Sequence, residues 1–562
     1  MSKPLPPIWF ALVLALAMNL LNLFEPLTVD DVCHSLYAVQ VAKAPLQPFE
    51  FEIDWHQKPV AAWDVMVAPV TSYYWAPAMA LFGDNPVAWK AWFLPLQWLF
   101  CYSVLVLLRR VVRRHAGALT VAVGLGATVL PGLNMMLEVP MLAWAFASLA
   151  VLLRAFDRRS LAVAAAAGVL LGLALQTKYS AMGFFGPWLL FGLVRGTWRE
   201  LVVGVATALA LAGGIEWLVS CSHGGGSYFM RQLELTQLRD WKHLLRGMVL
   251  HVGVLGMPTA LLAAWAMRLP SWIQWSAQLI YLAGYVVIAL VPNRDALAVR
   301  DLAPDSIANG GMAVLTWSLL GLLFWRITWS LPKRLRARPI GRVVRMRCLL
   351  LGWFLMEIGA SLLVSPFPAA RRTLLIVFAF SLAAAWLAVR RRGGGRAVRW
   401  FAVGSAVLGV CYQGVDCLDS AAVASAAKRA AEYVRGLLPD ARMHFTGGWG
   451  FEYYAPRQGM TPMCRGRTQV QRGDFIVVGS TDGAEQPWFD WHAPVWLQRV
   501  DQNPHEISIG DAVPFSLLLN YYSGRRPLEG QSGARFVVWV YRVLESFHAS
   551  ELTPVVNPWR DH

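Results

Sequence analysis

Charged side chains lie at the ends of several long apolar segments of this sequence. The first is an acidic pair, Asp30-Asp31, which closely follows the apolar residues 8–24. Carboxylates at the mouth of a membrane span are costly unless they have a function. Further charges begin or end later apolar segments: Glu138, Lys178, Arg371 and Arg372. Arginine and lysine bind phosphate, and a carboxylate can deprotonate a hydroxyl, so this set suits a reaction with a phosphate-bearing lipid.

The acidic pair opens a long loop, residues 25–85, that is rich in aromatic and acidic residues. Four more of its side chains are candidates for the same site: His34, Tyr37, His56 and Lys58. The two histidines have no His-x-x-x-His spacing, which favours structural or solvated roles over metal ligation.

Each of these charges also has a simpler interpretation. The acidic pair can cap the helix that follows, because aspartate is favoured at helix N-termini, and this role is compatible with catalysis. Lys178 and the two arginines, Arg371 and Arg372, can extend toward lipid headgroups without binding a substrate. Glu138 can be a favourable charge at the start of a helix.

The composition indicates an integral membrane protein. Hydrophobic residues make up 57% of the 562 residues, and the mean hydropathy is +0.45. Apolar segments recur along most of the chain and predict a polytopic helical bundle with about thirteen spans. These segments lie near residues 8–24, 86–108, 117–134, 138–153, 161–177, 181–194, 199–219, 249–267, 271–291, 309–325, 348–364, 373–389 and 400–416.

The distribution of basic residues predicts the orientation of the bundle. Arginines are concentrated in alternate loops, whereas the loop of residues 25–85 carries mainly acids and only Lys43 and Lys58 as cations. Basic loops stay in the cytoplasm, so we expect the N-terminus inside and the acidic loop outside, in the cytoplasmic membrane of a bacterium. A cleaved signal peptide is the alternative for the first span. The net charge of +16 is then explained by the basic cytoplasmic loops and their attraction to anionic lipid headgroups, rather than by nucleic-acid binding.

The last part of the chain has a different composition. Residues 1–416 form the predicted transmembrane domain, and residues 417–562 are predicted to form a small soluble α/β domain outside the cytoplasm. Residues 420–438 have helical periodicity, and residues 443–446, 475–478 and 536–541 have the pattern of short strands. The fold class is therefore mainly α, with a small C-terminal α/β domain.

The ordered motifs resemble the GT-C superfamily of membrane glycosyltransferases, in particular the branch with protein O-mannosyltransferases and lipid A aminoarabinose transferases. The matching pieces are Asp30-Asp31, the segments at residues 45–49 and 68–74, Leu81-Phe82-Gly83 followed by Lys90, Glu138-Val139-Pro140-Met141, residues 172–178 and Arg371-Arg372. The resemblance covers roughly residues 8–390. It departs from the family at Ala68-Pro69, at Glu138, where aspartate is commoner, and at Arg372, which replaces an aromatic residue.

The resemblance implies an inverting glycosyltransferase that moves a sugar from a polyprenyl-phosphate carrier to a glycan, lipid or protein acceptor at the outer membrane face. Asp30 would be the general base, with Asp31 assisting or helping to hold a divalent cation, and Glu138 would orient the acceptor or Asp30. Lys178 and one of the two arginines would stabilise the donor phosphate. No Rossmann fingerprint or P-loop is present, which agrees with a lipid-linked donor. The alternatives are a transporter or lipid flippase, which would be expected to show internal repeats and interrupted helices, or an inactive scaffold for the C-terminal domain.

Overall fold

The chain forms a bundle of membrane helices followed by a smaller unit with β-structure. The structure, a computed structural model, describes residues 6–27, 30–55, 58–65, 68–222, 227, 229–231, 241–290, 304–329, 342–365, 369–447, 450–464, 467–481, 497–499, 517–519, 528–530 and 536–548. The fold class predicted from the sequence, mainly helical with a small C-terminal portion of sheet, is confirmed.

The helices before the C-terminal unit are α1 (Pro7–Leu23), α2 (Asp30–Lys43), α3 (Ala62–Val65), α4 (Val70–Phe82), α5 (Pro86–Ala91), α6 (Leu94–Val112), α7 (Ala116–Gly124), α8 (Glu138–Arg158), α9 (Leu161–Leu175), α10 (Phe185–Arg195), α11 (Trp198–Ser222), α12 (Trp241–Leu255), α13 (Met257–Met267), α14 (Ser271–Leu290), α15 (Pro304–Thr328), α16 (Arg342–Val364), α17 (Leu374–Ala388) and α18 (Gly394–Leu437). Short 3₁₀ turns precede α10 at Tyr179–Phe184 and α17 at Ala370–Thr373.

Fewer helices qualify as membrane spans than the sequence predicts. Within the described residues, seven helical segments are long and apolar enough to cross a membrane, or up to eight if the bent pair α12–α13 counts as one span. The predicted number of about thirteen is higher because several of the apolar segments form short helices. Helices α1, α9 and α10, for example, have 17, 15 and 11 residues, and a straight helix needs about 20 to cross the hydrocarbon core.

Small residues bring α9 close to its neighbour α11. A Cβ atom added at Gly168 would lie 2.4 Å from the carbonyl oxygen of Gly204, and one at Gly172 would lie 2.9 Å from Leu211 Cβ. Such close approach between apolar helices is typical of membrane bundles, where packing rather than water exclusion drives association. It fixes the end of α9, which leads directly into Lys178.

Helix α8 carries a carboxylate near each of its two ends. Glu138 is its first residue, and Asp157 lies in its last turn. There Asp157 forms ion pairs with Arg110 at the end of α6, at 2.7 Å, and with Arg195 at the end of α10. The 21 residues of α8 span about 31 Å. Glu138 and this arginine cluster are therefore at opposite ends of the bundle.

The C-terminal unit is built on a five-stranded mixed sheet. Its strands are β3 (Met443–Thr446), β4 (Thr461–Pro462), β6 (Phe475–Thr481), β7 (Leu497–Arg499) and β10 (Phe536–Val543), in the order β4-β3-β6-β10-β7. Strand β3 is parallel to β4 and β6, and β10 is antiparallel to β6 and β7. The three strands predicted from the sequence, at residues 443–446, 475–478 and 536–541, are all present.

The remaining elements are two-stranded pairings and one short helix. Strands β1 (Glu52–Trp55) and β2 (Lys58–Ala61) form a hairpin in the loop of residues 25–85, and β5 (Gln469–Val470) pairs with β11 (Phe547–His548). Strands β8 (Leu517–Leu519) and β9 (Leu528–Gly530) pair with each other. Helix α19 (Gly450–Arg457) follows β3.

Helix α18 joins the bundle to the C-terminal unit without a break. It has 44 residues and passes through position 416, the predicted domain boundary. Its last turns pack against the sheet through one apolar face, formed by Ala426, Ala427, Ala430, Ala431 and Val434. The division into two domains remains a prediction, and the structure adds that one helix belongs to both parts.

Candidate functional site

Four separate parts of the chain bring charged side chains together at one end of the bundle. Asp30 and His34 lie in the first turns of α2, and Glu138 is the first residue of α8. Lys178 follows α9, and Arg371 lies in the 3₁₀ turn before α17. We call the set of Asp30, His34, Glu138, Lys178 and Arg371 the charge cluster.

Arg371 joins the two carboxylates of the charge cluster. Its Nη1 donates a hydrogen bond to Asp30 Oδ2 at 2.9 Å, and its Nε lies 3.7 Å from Glu138 Oε1. Lys178 Nζ donates to the same Glu138 oxygen. The exposed fractions of these side chains are low, at 8% for Arg371, 4% for Glu138 and 22% for Lys178. Pairs this deeply buried interact more strongly than charges on an open surface.

The surroundings set the charge states at neutral pH. Burial raises the pKa of Asp30, but the charge and hydrogen bond of Arg371, together with the neighbouring His34, outweigh burial and hold that pKa below its usual value. Burial lowers the pKa of His34 to about 4, so its imidazole is neutral. Burial also lowers the pKa of Lys178 to about 8, against the attraction of Glu138. Asp30 is thus ionised, and Lys178 is charged but close to titration.

Arg372 adds a third cation to this region. It interacts electrostatically with Arg371, Glu138 and Asp30, and its Nη1 donates to Ser365 Oγ at 3.4 Å. Three cations, Lys178 and the two arginines, therefore face two carboxylates. The resulting excess of positive charge favours an anionic ligand.

Two buried polar atoms of the charge cluster point to a ligand. Among the described residues, none forms a hydrogen bond with Glu138 Oε2 or with His34 Nδ1. A buried polar atom without a partner is costly, and native structures generally satisfy such atoms. A hydroxyl group of a bound molecule would satisfy the carboxylate oxygen.

Asp31 takes part in a second polar cluster. It is fully buried and interacts electrostatically with Lys90 and Tyr454. Lys90 Nζ donates to the backbone carbonyls of Glu25 and Asn22, and Gln413 of α18 donates to the Glu25 carboxylate. The acidic pair is thus divided between two polar clusters.

From the sequence, Lys90 was identified only as part of a segment that resembles the GT-C superfamily, and the contact of Lys90 with Glu25 was not predicted. Burial raises the pKa of Glu25 to about 7. The only signal in the sequence was a lysine within an otherwise apolar stretch, which indicates a buried partner without identifying it.

The other candidates from the first loop have different positions. Tyr37 donates from its hydroxyl to the carbonyl of Ala62 at 2.7 Å and packs against Phe49 and Phe51, so it stabilises the loop. Lys58 pairs with Trp55 in the β1–β2 hairpin. His56 lies outside the described residues.

Glu216 of α11 supports the segment that carries Lys178. Its carboxylate accepts hydrogen bonds from Tyr179 Oη at 2.6 Å, Ser227 Oγ at 3.0 Å and the amide of Phe229 at 2.9 Å. Tyr179 directly follows Lys178, so these bonds limit how far Lys178 can move.

The described residues do not present a recognisable metal site. No group of three or more His, Cys, Asp or Glu side chains among them is placed to hold a metal ion. Asp30 and Glu138 are both engaged with Arg371, and Asp31 faces another cluster. Metal binding by Asp31 stays a prediction, and no step proposed below depends on a metal.

No protein-family model matches the chain, and no curated protein sequence does. Among solved structures, the chain is similar to the oligosaccharyltransferase AglB of Archaeoglobus fulgidus, in complex with an inhibitory peptide and a dolichol-phosphate. The identity is 13%, the TM-score is 0.45, and the match covers 84% of this chain and 69% of that one. It is also similar to ArnT of Cupriavidus metallidurans bound to undecaprenyl phosphate, with 15% identity, a TM-score of 0.42 and coverage of 95% and 97%.

At such low identities and TM-scores, function has to be argued from this chain's own residues.

Proposed function

We propose that this protein is an inverting glycosyltransferase that moves a sugar from a polyprenyl-phosphate carrier to a glycan, lipid or protein acceptor. The observation that carries the proposal is the position of Arg371, which contacts Asp30 and Glu138 while Lys178 binds the same Glu138 oxygen. Cations and carboxylates are thus interleaved at one end of a membrane bundle. The reaction takes place at the outer face of a bacterial cytoplasmic membrane, with the N-terminus inside.

The cations of the charge cluster bind the donor phosphate. Without substrate, Arg371 and Lys178 are neutralised by Asp30 and Glu138. An incoming phosphate competes with these carboxylates, because arginine binds phosphate oxygens through two parallel hydrogen bonds and lysine attracts them as a point charge. Arg372 supplies additional positive charge beside them.

The same exchange prepares Asp30 to act as the general base. While Arg371 donates to Asp30, the carboxylate is a weak base because its charged form is stabilised. When Arg371 turns to the phosphate, Asp30 loses this stabilisation and becomes more basic. The acceptor oxygen then forms a bond with the anomeric carbon, its proton passes to Asp30, and the bond between that carbon and the phosphate oxygen breaks. Lys178 and Arg371 stabilise the charge that develops on the departing phosphate.

Glu138 orients the acceptor. Its Oε1 is engaged by Lys178 and Arg371, whereas its buried Oε2 has no hydrogen-bond partner among the described residues. A second hydroxyl of the acceptor can donate to Oε2 and so direct the attacking oxygen toward the donor. Correct orientation of two reactants contributes several kcal/mol to catalysis, about 7–11 in favourable cases.

The test is a transfer assay with the purified protein in lipid vesicles. Synthetic polyprenyl-phosphate sugars are supplied as donors, and the acceptor is first identified by mass spectrometry of lipids, surface glycans and exported proteins from a deletion strain. We expect sugar transfer with inversion at the anomeric carbon, read by NMR of the product. The proposal would be overturned if none of the synthetic donors gave transfer to any acceptor candidate that differs between the deletion strain and the wild type.

One observation favours the transport alternative. Helices α12 and α13 are bent by 66° at a short break, and interrupted helices are typical of transporters. A transporter or flippase moves labelled polyprenyl-phosphate sugar across vesicles without changing it chemically. The same vesicles therefore distinguish the two functions, because only a transferase releases free polyprenyl phosphate.

A further inference from the structure

The C-terminal unit contacts the loop of residues 25–85 at three places. Tyr454 of α19 accepts a hydrogen bond from the backbone amide of Leu27 at 2.8 Å. Tyr453 and Arg457 of the same helix both donate to the Asp84 carboxylate. Arg467 forms two hydrogen bonds with the Glu52 carboxylate in β1.

The contact at Leu27 is the one that bears on the charge cluster. Leu27 lies three positions before Asp30 and is fully buried. A buried backbone amide needs a hydrogen-bond acceptor, and the Tyr454 hydroxyl is the acceptor here. The Tyr454 ring is held edge-on against Tyr453, with ring centroids 5.0 Å apart.

Three consecutive residues shortly before the acidic pair, Glu25, Pro26 and Leu27, are each held by a hydrogen bond from a different residue. Lys90 donates to the carbonyl of Glu25, and Asn134 Nδ2 donates to the carbonyl of Pro26 at 3.1 Å. These two donors belong to the helix bundle. The third bond, from Leu27 to Tyr454, comes from the C-terminal unit.

We propose that Tyr454 is a positioning residue for the proposed transfer reaction. By holding Leu27, it fixes the segment Glu25–Leu27 and thereby the orientation of the Asp30 side chain. The inference rests on the proposed function, because it assigns Tyr454 a role in that reaction. It gives the C-terminal unit a part in catalysis without any contact with substrate. A shift of the base by about an ångström is enough to slow such a reaction substantially.

Tyr454→Phe tests this role because it removes the hydroxyl and keeps the ring. We expect turnover to fall about three- to tenfold, as for the loss of one hydrogen bond, with an unchanged KM for the donor. Tyr453→Phe is the matched control, since it removes the neighbouring hydroxyl, which binds Asp84, and we expect normal turnover. Equal turnover in the two variants and the wild type would overturn the role of Tyr454.

A double variant shows whether Tyr454 acts through Asp30. In the Asp30→Asn background, Tyr454→Phe should cause no further loss, because the group that it positions has gone. A full additional loss would mean that Tyr454 affects turnover by another route, which would overturn the inference.

Hydrogen exchange tests the contact without any activity measurement. The Leu27 amide should exchange faster in Tyr454→Phe than in the wild type and in Tyr453→Phe. Unchanged exchange would overturn the contact itself. A wild-type protein with no transferase activity would overturn the proposed function, whereas an active wild type matched by Tyr454→Phe would overturn only the role of Tyr454.

Discussion

Arg371 donates a hydrogen bond to Asp30 across 341 positions of sequence, at 2.9 Å. This bond joins the turn before α17 to the first turn of α2. It places a side chain that we propose to bind the donor phosphate beside the proposed base. Binding of the donor and activation of the base are therefore linked through one guanidinium group.

Asp30→Asn is expected to abolish most of the turnover. The amide keeps the shape of the side chain but cannot accept the proton, so the rate should fall by ~10²–10⁴-fold, the range for loss of a general base. Asp64→Asn is the control, because Asp64 also pairs with an arginine, at 2.9 Å, but is 55% exposed in the first loop. Transfer rates at equal protein amounts measure the effect. Near-normal transfer by Asp30→Asn would move the role of base to another carboxylate.

Lys178→Ala is expected to impair use of the donor much more than Lys178→Arg. The alanine variant loses a phosphate-binding charge, whereas arginine keeps the charge with altered geometry. Both are measured with a synthetic polyprenyl-phosphate sugar, together with thermal unfolding, because Glu138 loses one partner. Lys428→Ala, at a side chain that is 67% exposed, is the control for charge alone. A lysine that merely contacts headgroups contributes only about 1 kcal/mol, so mild effects of both substitutions would remove Lys178 from the site.

Donor binding is expected to weaken as the pH rises through about 8. Burial lowers the pKa of Lys178 to about 8, so the ammonium is charged below that pH and neutral above it. The donor is a phosphodiester whose charge stays constant over this range. In Lys178→Arg the decline should disappear, since arginine stays protonated. Donor affinity is measured from about pH 6 to about pH 10, which brackets the titration of Lys178 and the ordinary lysine value. An identical decline in both proteins would assign it to another group.

Reporter fusions test the orientation of the bundle. Arg347 lies at the start of the apolar part of α16, which runs over Met346–Leu363. From there to Asp440 the chain passes through α16, α17 and α18, and three crossings place the two positions on opposite sides. We expect a fusion after Arg347 to report the cytoplasm and one after Asp440 to report the outside, because the basic loops favour the cytoplasm. Two cytoplasmic signals would contradict the predicted topology and the proposed outer location of the charge cluster.

The convergence of Asp30, Glu138, Lys178 and Arg371 was predictable because each lies at the end of an apolar segment. Because successive spans of a polytopic chain cross the membrane in alternating directions, these segment ends are predicted to lie on the same side of the membrane. The divergence of Asp30 and Asp31 was not recognised, although successive helical residues point about 100° apart. The contacts of Lys90 with Glu25 and of Tyr454 with Leu27 were inaccessible from the sequence, because they depend on how distant segments pack.

Among the described residues, seven helices, or up to eight, are long and apolar enough to cross a membrane, and the number of about thirteen spans stays a prediction. Hydropathy detects apolar segments, but helices such as α10 are too short to cross a bilayer alone. The predicted boundary at position 416 likewise follows a change in composition, whereas α18 continues through it. A backbone helix can extend from lipid into water without interruption, since its hydrogen bonds are satisfied internally in both.

The uninterrupted α18 limits the movements available to the C-terminal unit. A helix of 44 residues is about 66 Å long, and it has no loop between bundle and sheet that could act as a hinge. The sheet cannot swing aside like a lid on a flexible linker. Any displacement of it has to tilt or rotate the helix as a whole, and Gln413 on that helix would carry the movement to Glu25. An acceptor that displaces the sheet would therefore also displace residues of the helix bundle inside the membrane.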